Sequence, residues 1–173
     1  MLVNFDQQVF IWITENRSIL GTAIFSFFSF LGNWQFVILF LLVIVVILIV
    51  KKKFSFIVPL LLSVLGSAAL TFLGKLYCQR PRPSISVFAE TGYSFPSSHA
   101  TVAASLWLFL AFMMAGKGSK MFYIIALFLI ILIGFSRIYL GAHYVSDVLA
   151  GYLVGFLGFM IGVILFERRA GNK

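Results

Sequence analysis

Residues 34–53 read WQFVILFLLVIVVILIVKKK. Between Trp34 and Val50 the only polar side chain is Gln35, and the run stops at Lys51, Lys52 and Lys53. A helix built from such a run has no polar stripe to turn toward water, so it belongs in hydrocarbon. The lysines at its end mark a membrane surface and, by the positive-inside rule, the cytoplasmic one.

Composition extends this reading to the whole chain. Its 173 residues are 62% hydrophobic and 10% charged, and mean hydropathy is +1.09, which is outside the range of a soluble domain. No polar stretch is long enough to fold separately, so residues 1–173 form one membrane-integral domain. The lone Cys78 excludes an internal disulfide and a cysteine metal cluster. The net charge of +8 raises nucleic acid as a partner, but the charges flank apolar runs rather than lining an aromatic-studded groove. No nucleic acid and no obligatory protein partner is expected; the partners are the bilayer and what it dissolves.

Working outward from residue 53, Phe54 to Gly74 is a second span, with Pro59 one turn in and its freed carbonyl left to neighbouring helices. Residues 80–96 form a loop holding three of the four prolines. Ala100 to Gly116 is a third span, Met121 to Phe135 begins a fourth, and Val148 to Phe166 is a fifth. In the last, Gly151, Gly155, Gly158 and Gly162 place small residues along one face, a pattern for close helix packing. Upstream, Leu2, Phe5, Val9, Trp12 and Ile13 share one arc of a helix over residues 1–15, which predicts an interfacial helix. Asp6 interrupts it, and no basic segment precedes it, which argues against a cleavable signal. Ile19 to Leu31 is apolar, but 13 residues reach only about 20 Å, so it reads as interfacial or re-entrant unless Phe10 to Ile13, or Trp34 onward, is recruited. The expected fold is all-α: a polytopic helical membrane protein with about five full transmembrane helices over 34–166, preceded by one or two short interfacial or re-entrant helices in 1–31.

With five alternating spans, Lys51, Lys52, Lys53, Lys117, Lys120, Arg168, Arg169 and Lys173 share one side, which the positive-inside rule makes cytoplasmic. Arg17, Lys75, Arg80, Arg82 and Arg137 then face outward with both histidines, His99 and His143.

The outward residues carry the chemistry. In the stretch Ser136-Arg137-Ile138-Tyr139-Leu140-Gly141-Ala142-His143-Tyr144-Val145-Ser146-Asp147, His143 and Asp147 are four apart and share a face if the segment is helical. The carboxylate can then hold one ring nitrogen and leave the other free as base or nucleophile, though a cap and a satisfied polar pair fit equally. Lys75, Arg82 and Arg137, with no comparable acids beside them, suit a phosphate; taken singly, each can also be a snorkelling or anchoring side chain. Ser97 and Ser98 precede the third span, where free N–H groups and the helix dipole either bind an anion or need only a serine cap. His99 beside a bound phosphate could donate a proton to a leaving oxygen.

Three motifs occur in order: Lys75, six residues, Arg82-Pro83; Pro96-Ser97-Ser98-His99; and Ser136-Arg137, five residues, His143, three residues, Asp147. Together they resemble the three-part signature of the type-2 phosphatidic acid phosphatase superfamily, whose helical core the span pattern resembles over residues 1–166. The resemblance implies His143 as the attacking nucleophile forming a phosphohistidine, Asp147 as its orienter and His99 as the acid. It implies Lys75, Arg82, Ser97, Ser98 and Arg137 as phosphate ligands, with no metal and no cofactor. It also implies a lipid mono- or diphosphate as substrate at the outer face of a cytoplasmic membrane. Phosphatidylglycerol phosphate, undecaprenyl diphosphate, lipid A 1-phosphate and phosphatidic acid are the candidates. The family usually has glycine where Ser98 stands, and many bacterial members have a full extra span at the N-terminus. Two other functions fit the same residues: a phosphotransferase using the same histidine, and a non-enzymatic phospholipid binder or transporter.

Overall fold

A computed structural model describes residues 2–115 and 119–171. Seven α-helices follow in order: α1 (Leu2–Glu15), α2 (Ile19–Leu31), α3 (Trp34–Val50), α4 (Ile57–Cys78), α5 (Ser98–Ala115), α6 (Lys120–Tyr139) and α7 (Val145–Gly171). Four segments, Phe54–Cys78, Ser98–Ala115, Lys120–Tyr139 and Val145–Arg169, are each long and apolar enough to cross a bilayer. A fifth crossing is available if α2 and α3, bent by 46° at their junction, are taken as one span. The fold is therefore the expected polytopic bundle, with α2 joined to α3 where the sequence suggested a separate short helix.

That bend has local causes. Gly32 closes α2, and the Asn33 side chain caps α3 by accepting the Gln35 N–H at 3.2 Å. At the other end of α2 the Ser18 hydroxyl accepts the Gly21 N–H at 3.0 Å. The Phe25 ring packs 5.1 Å from Phe135 and 4.5 Å from Tyr139, which ties α2 to α6. A methyl on Gly32 would fall 2.9 Å from His99 Cδ2, so this glycine is what lets the bend close over the site.

Several expected boundaries move. A short 3-10 turn, Phe54–Phe56, precedes α4, so Pro59 lies in the first turn of the α-helix, where its missing N–H has no partner to lose. The same helix runs past Gly74 to Cys78, which places Lys75 on its last turn. Helix α6 continues to Tyr139 and carries Ser136 and Arg137, while α5 begins at Ser98 and so holds His99 in its first turn. In α1 the inward residues are Asp6, Phe10 and Ile13, whereas Phe5 and Trp12 are exposed, the latter at 65%. The arc drawn from hydrophobicity was rotated, because a polar residue takes the inward position. The Leu2 side chain on that arc, Gly116 at the end of the third span, and the basic residues Lys117 and Lys173 lie outside what the structure describes.

Helices α4, α5 and α7 form the centre. Lipid gives no hydrophobic drive for helix association, so close packing and interhelical hydrogen bonds hold them. The Thr71 hydroxyl donates to that of Thr101 at 2.9 Å, and the Ser67 hydroxyl to that of Ser105 at 3.1 Å. A methyl on Gly151 would sit 2.6 Å from the Ser97 carbonyl oxygen, on Gly155 2.7 Å from Ala104 Cβ, and on Gly158 2.6 Å from the Ser63 carbonyl oxygen. The glycine face of α7 thus brings its backbone against α5 and α4. Leu60, Val64, Leu106 and Phe109 fill the interior with Val37, Leu41, Ile44 and Leu48 of α3. Leu39, Leu42, Leu127, Phe128 and Leu153 point outward, as lipid-facing residues do.

Gly155→Leu is expected to cost about 1–3 kcal/mol by overpacking, seen as a lower melting temperature in detergent. Gly66→Ala, where a methyl meets nothing within 4 Å, is expected to gain up to about 1 kcal/mol. Equal shifts at the two positions would show that α7 is not pinned through its glycines.

Candidate active site

The site is built first by the turn between α6 and α7. Gly141, at φ +74°, reverses the chain after Tyr139, and a side chain there would meet the Ile85 backbone of the 79–97 loop. The same loop is clipped to the turn where the Val87 N–H donates to the Leu140 carbonyl at 2.9 Å. His143 therefore lies in the turn, so the shared helix face that a helical segment would give it with Asp147 is not what brings the two together. The two still meet, because Asp147 is the third residue of α7 and its Oδ2 accepts the Tyr144 N–H at 3.0 Å, the return half of a capping box. That geometry puts Oδ2 3.5 Å from Nδ1 of His143, close enough for the carboxylate to face the ring, although Nδ1 makes no hydrogen bond at this distance.

The other ring nitrogen, Nε2, lies 3.3 Å from Arg82 Nη1. A guanidinium only donates, so Nε2 presents its lone pair and the ring proton is assigned to Nδ1, toward Asp147. Burial pushes the His143 ring down to about 4; the nearby Asp147 carboxylate opposes this, and the charges of Arg137, Arg82 and Lys75 add to it. The histidine is 2% exposed and stays neutral in ordinary buffers.

The 79–97 loop supplies the remaining charges. Gln79, at φ +46°, ends α4 in the left-handed region and turns the chain toward Arg80. Arg82 is held by three carbonyls, with Nε on Gly92 at 3.0 Å, Nη2 on Thr91 at 3.2 Å and Nη1 on Ala142 at 3.0 Å. The Lys75 ammonium is bound to the loop carbonyls of Tyr93 at 2.7 Å and Ser94 at 3.3 Å. Arg137, buried on α6, donates to the Ser29 hydroxyl of α2 and to Glu90.

Glu90 changes the expected charge balance. Its carboxylate pairs with Arg137 through one oxygen and lies 3.5 Å from Arg82 Nη1 through the other. Burial works to raise its pKa, but the Arg137 charge and hydrogen bond, with Arg82, hold it below the usual range. The cations predicted to stand without comparable acids thus have one between them, bridging two guanidiniums.

At the start of α5 the Ser97 N–H is committed to the Asp147 carbonyl at 2.9 Å, and its buried hydroxyl makes no hydrogen bond within the protein. Ser98 is exposed. Ser98, His99, His143, Arg82 and Glu90 line one end of a cavity of about 390 Å³, and Val37, Ile38, Leu41, Val64 and Leu65 line the rest. An adjoining cavity of about 450 Å³ has Arg137, Glu90 and His99 beside Ser29 and Asn33. His99, His143, Arg82, Arg137 and Ser98 are thus brought to cavity walls. Asp147 stands behind His143, and Lys75 and Ser97 brace the loop and the α5 terminus.

Sequence reasoning did not single out Glu90, Arg80 or Asp6 as site residues. The chain has only five acidic residues, and such scarcity in a membrane protein is itself a signal that each is kept for a reason.

An apolar helical bundle that gathers two histidines and several cations around a cavity lined by both polar and apolar residues is a membrane-integral protein with a charged pocket. Residues 56–170 match the PAP2 superfamily, and the chain belongs to it. The sequence is 38% identical over 94 residues to phosphatidylglycerophosphatase B of Bacillus subtilis strain 168, covering 50% of this chain and 46% of that protein. It is 31% identical over 84 residues to the undecaprenyl-diphosphatase of Sulfolobus acidocaldarius, covering 49% of this chain and 35% of that protein. The matched stretch thus spans about half or less of these curated relatives. The fold is similar to the crystal structure of the transmembrane PAP2 type phosphatidylglycerolphosphate phosphatase of Bacillus subtilis, with a TM-score of 0.89, 27% identity, and coverage of 95% of this chain and 86% of that one. It is also similar to that of Aquifex aeolicus LpxE, with a TM-score of 0.76, 26% identity, and coverage of 91% and 93%.

Glu90→Gln removes the resident anion while keeping the loop's shape. The expected result is about tenfold tighter binding of inorganic phosphate or orthovanadate by calorimetry, since a tenfold change needs only about 1.4 kcal/mol. Weaker binding would mean that Glu90 helps to hold the ligand instead of standing in its place.

Proposed function

We propose that this protein hydrolyses the phosphate ester or diphosphate of a membrane lipid through a phosphohistidine on His143. The observation that carries this reading is the cavity with both histidines and Arg82 at one end and Val37, Ile38, Leu41, Val64 and Leu65 at the other. A soluble phosphate has no use for that apolar wall, whereas a lipid places its headgroup at the charged end and its chain along α3 and α4.

In this mechanism the Nε2 lone pair attacks phosphorus. A nitrogen–phosphorus bond forms as the bond to the leaving oxygen breaks, and His99, protonated once the phosphate dianion lies beside it, donates a proton to that oxygen. Water then gives a proton to the now neutral His99 as it attacks the phosphohistidine; the nitrogen–phosphorus bond breaks, which releases inorganic phosphate and restores neutral His143 and protonated His99. Asp147 holds the Nδ1 proton and stabilises the positive charge that develops on the ring. Arg82 and Arg137 bind the phosphoryl oxygens after Glu90 gives way. Lys75, the Ser97 hydroxyl and the amides near Ser98 and His99 add positive potential where negative charge collects. Ser98, in the place where the family usually has glycine, is exposed and leaves the backbone free to start α5. No metal takes part.

The placement of charge supports an outward-facing site. Lys51 to Lys53 follow α3, Lys120 begins α6, and Arg168 and Arg169 end α7, all at the opposite ends of their helices from the histidines. The positive-inside rule then puts the site on the outer side of the cytoplasmic membrane. The names of relatives, a phosphatidylglycerophosphatase and an undecaprenyl-diphosphatase, fit a lipid phosphate or diphosphate as substrate.

The test is phosphate release in excess chelator from a panel of lipid mono- and diphosphates. The parent protein is expected to release phosphate and His143→Ala to lose at least about a thousandfold in kcat. Release by the alanine variant, or restoration of a chelator-silenced parent by divalent ions, would overturn the mechanism. The nucleophile must be neutral, and kcat/KM reports the free enzyme. Corrected for substrate ionisation, kcat/KM should therefore hold as pH falls through 6.5 and drop only toward about 4. A limb at 6.5 would place His143 in a water-like environment.

A further inference from the structure

Helix α7 begins with N–H groups that no backbone carbonyl of its own helix can accept. Asp147 takes that of Tyr144, and the Ser146 N–H is taken by a residue 140 positions away, Asp6 of α1, at 3.0 Å. Asp6 is 2% exposed and sits on an otherwise amphipathic helix. Its second oxygen accepts from the Ser146 hydroxyl and from Arg80 Nη2, the latter at 2.8 Å. Arg80 is a bridge: its Nη1 donates to Asp147 Oδ1 at 2.7 Å and to the Ser146 hydroxyl oxygen at 2.6 Å, while its guanidinium carbon lies 4.4 Å over the Tyr144 ring. The guanidinium pKa is raised: partial burial works against its charge, and the carboxylates of Asp6 and Asp147 more than offset that.

Both oxygens of Asp147 are therefore assigned. Oδ1 is fixed by Arg80, which leaves Oδ2 directed at the Tyr144 N–H and at Nδ1 of His143. A lone arginine on Asp147 would cancel the charge that holds the imidazole proton. Asp6 prevents this by sharing the guanidinium, so the trio of Asp6, Arg80 and Asp147 carries net −1, the charge of Asp147 alone. An interfacial anchor has no need of a buried carboxylate.

We propose that Asp6 and Arg80 are a positioning pair for His143, which makes α1 part of the active-site scaffold rather than only a surface anchor. This rests on the reading of His143 as nucleophile, so the test needs one readout that does not depend on turnover. The chain has two histidines, so imidazole 15N NMR of the detergent-solubilised protein, assigned with His99→Gln, reports the His143 tautomer and titration directly. The charged and titratable groups facing that ring are Asp147 of α7, Arg137 of α6, Lys75 of α4, Arg82 and Glu90 of the loop, and His99 of α5; none is altered by the variants below.

Asp6→Asn removes the shared charge and keeps the shape. The expected result is a fall in kcat of about tenfold with KM within about twofold, and a His143 titration lowered by about half a unit as Arg80 bears fully on Asp147. Arg80→Lys keeps a charge but cannot bridge two carboxylates. A comparable loss in kcat is expected, with less of the Nδ1-protonated tautomer. Trp12→Ala, which strips an exposed apolar contact from α1, should leave kcat unchanged. The proposal is overturned if Asp6→Asn and Arg80→Lys keep the parent kcat and His143 signals, or if Trp12→Ala loses as much as Asp6→Asn. If Arg80→Lys does not fold, Asp6→Asn alone decides. A parent without phosphatase activity would refute the proposed function, while unchanged His143 signals in Asp6→Asn would separately refute the positioning role.

Discussion

Asp147 has two carboxylate oxygens and a place in the first turn of a helix, and the rest of the site depends on how these are used. One oxygen is held by Arg80, and the other accepts the Tyr144 N–H and lies 3.5 Å from the His143 ring. A carboxylate free to rotate in this position would cap α7 and nothing more. Its orientation decides which imidazole nitrogen carries the proton, and hence which one presents a lone pair to the cavity.

That carboxylate is only as well placed as α7 itself. The glycines of α7 let it approach α5 so closely that the Ser97 N–H reaches the Asp147 carbonyl at 2.9 Å. Two helix N-termini therefore converge at one point, and their dipoles add to the charges of Lys75, Arg80, Arg82 and Arg137. Positive potential of this size at the end of a bundle calls for anions. The chain answers with Asp6, Glu90 and Asp147, three of its five acidic residues, and each stands differently to the cavity. Asp147 and Asp6 are built into the scaffold, whereas Glu90 lies on the loop across the two arginines that face the cavity.

Much of this was legible from residues alone, and the parts that were not share one cause. Apolar runs marked the four crossing segments and the α2–α3 pair that can make a fifth, because a membrane imposes the same requirement along the whole length of a helix. Spacing of four puts His143 within reach of Asp147 whether the intervening residues are helix or turn. Arg80 reads only as one more outward-facing cation, Asp6 as an interruption, and Glu90 carries no local signal, because the partner of each is distant in sequence. Asp6 finds Ser146 across 140 positions and Arg80 across 74, and no local periodicity records such a meeting.

Residue by residue, hydropathy and charge make the chain a membrane bundle, divide its basic residues between two ends, and place two histidines, an aspartate and three cations at one of them. Packing of distant segments is what turns the carboxylate of α1 inward, sets Glu90 between two arginines, and lines the charged cavity with apolar residues of α3 and α4. Those outcomes depend on which helix termini converge, and burying a charged or polar group is affordable only where the partner that satisfies it has been brought by the fold.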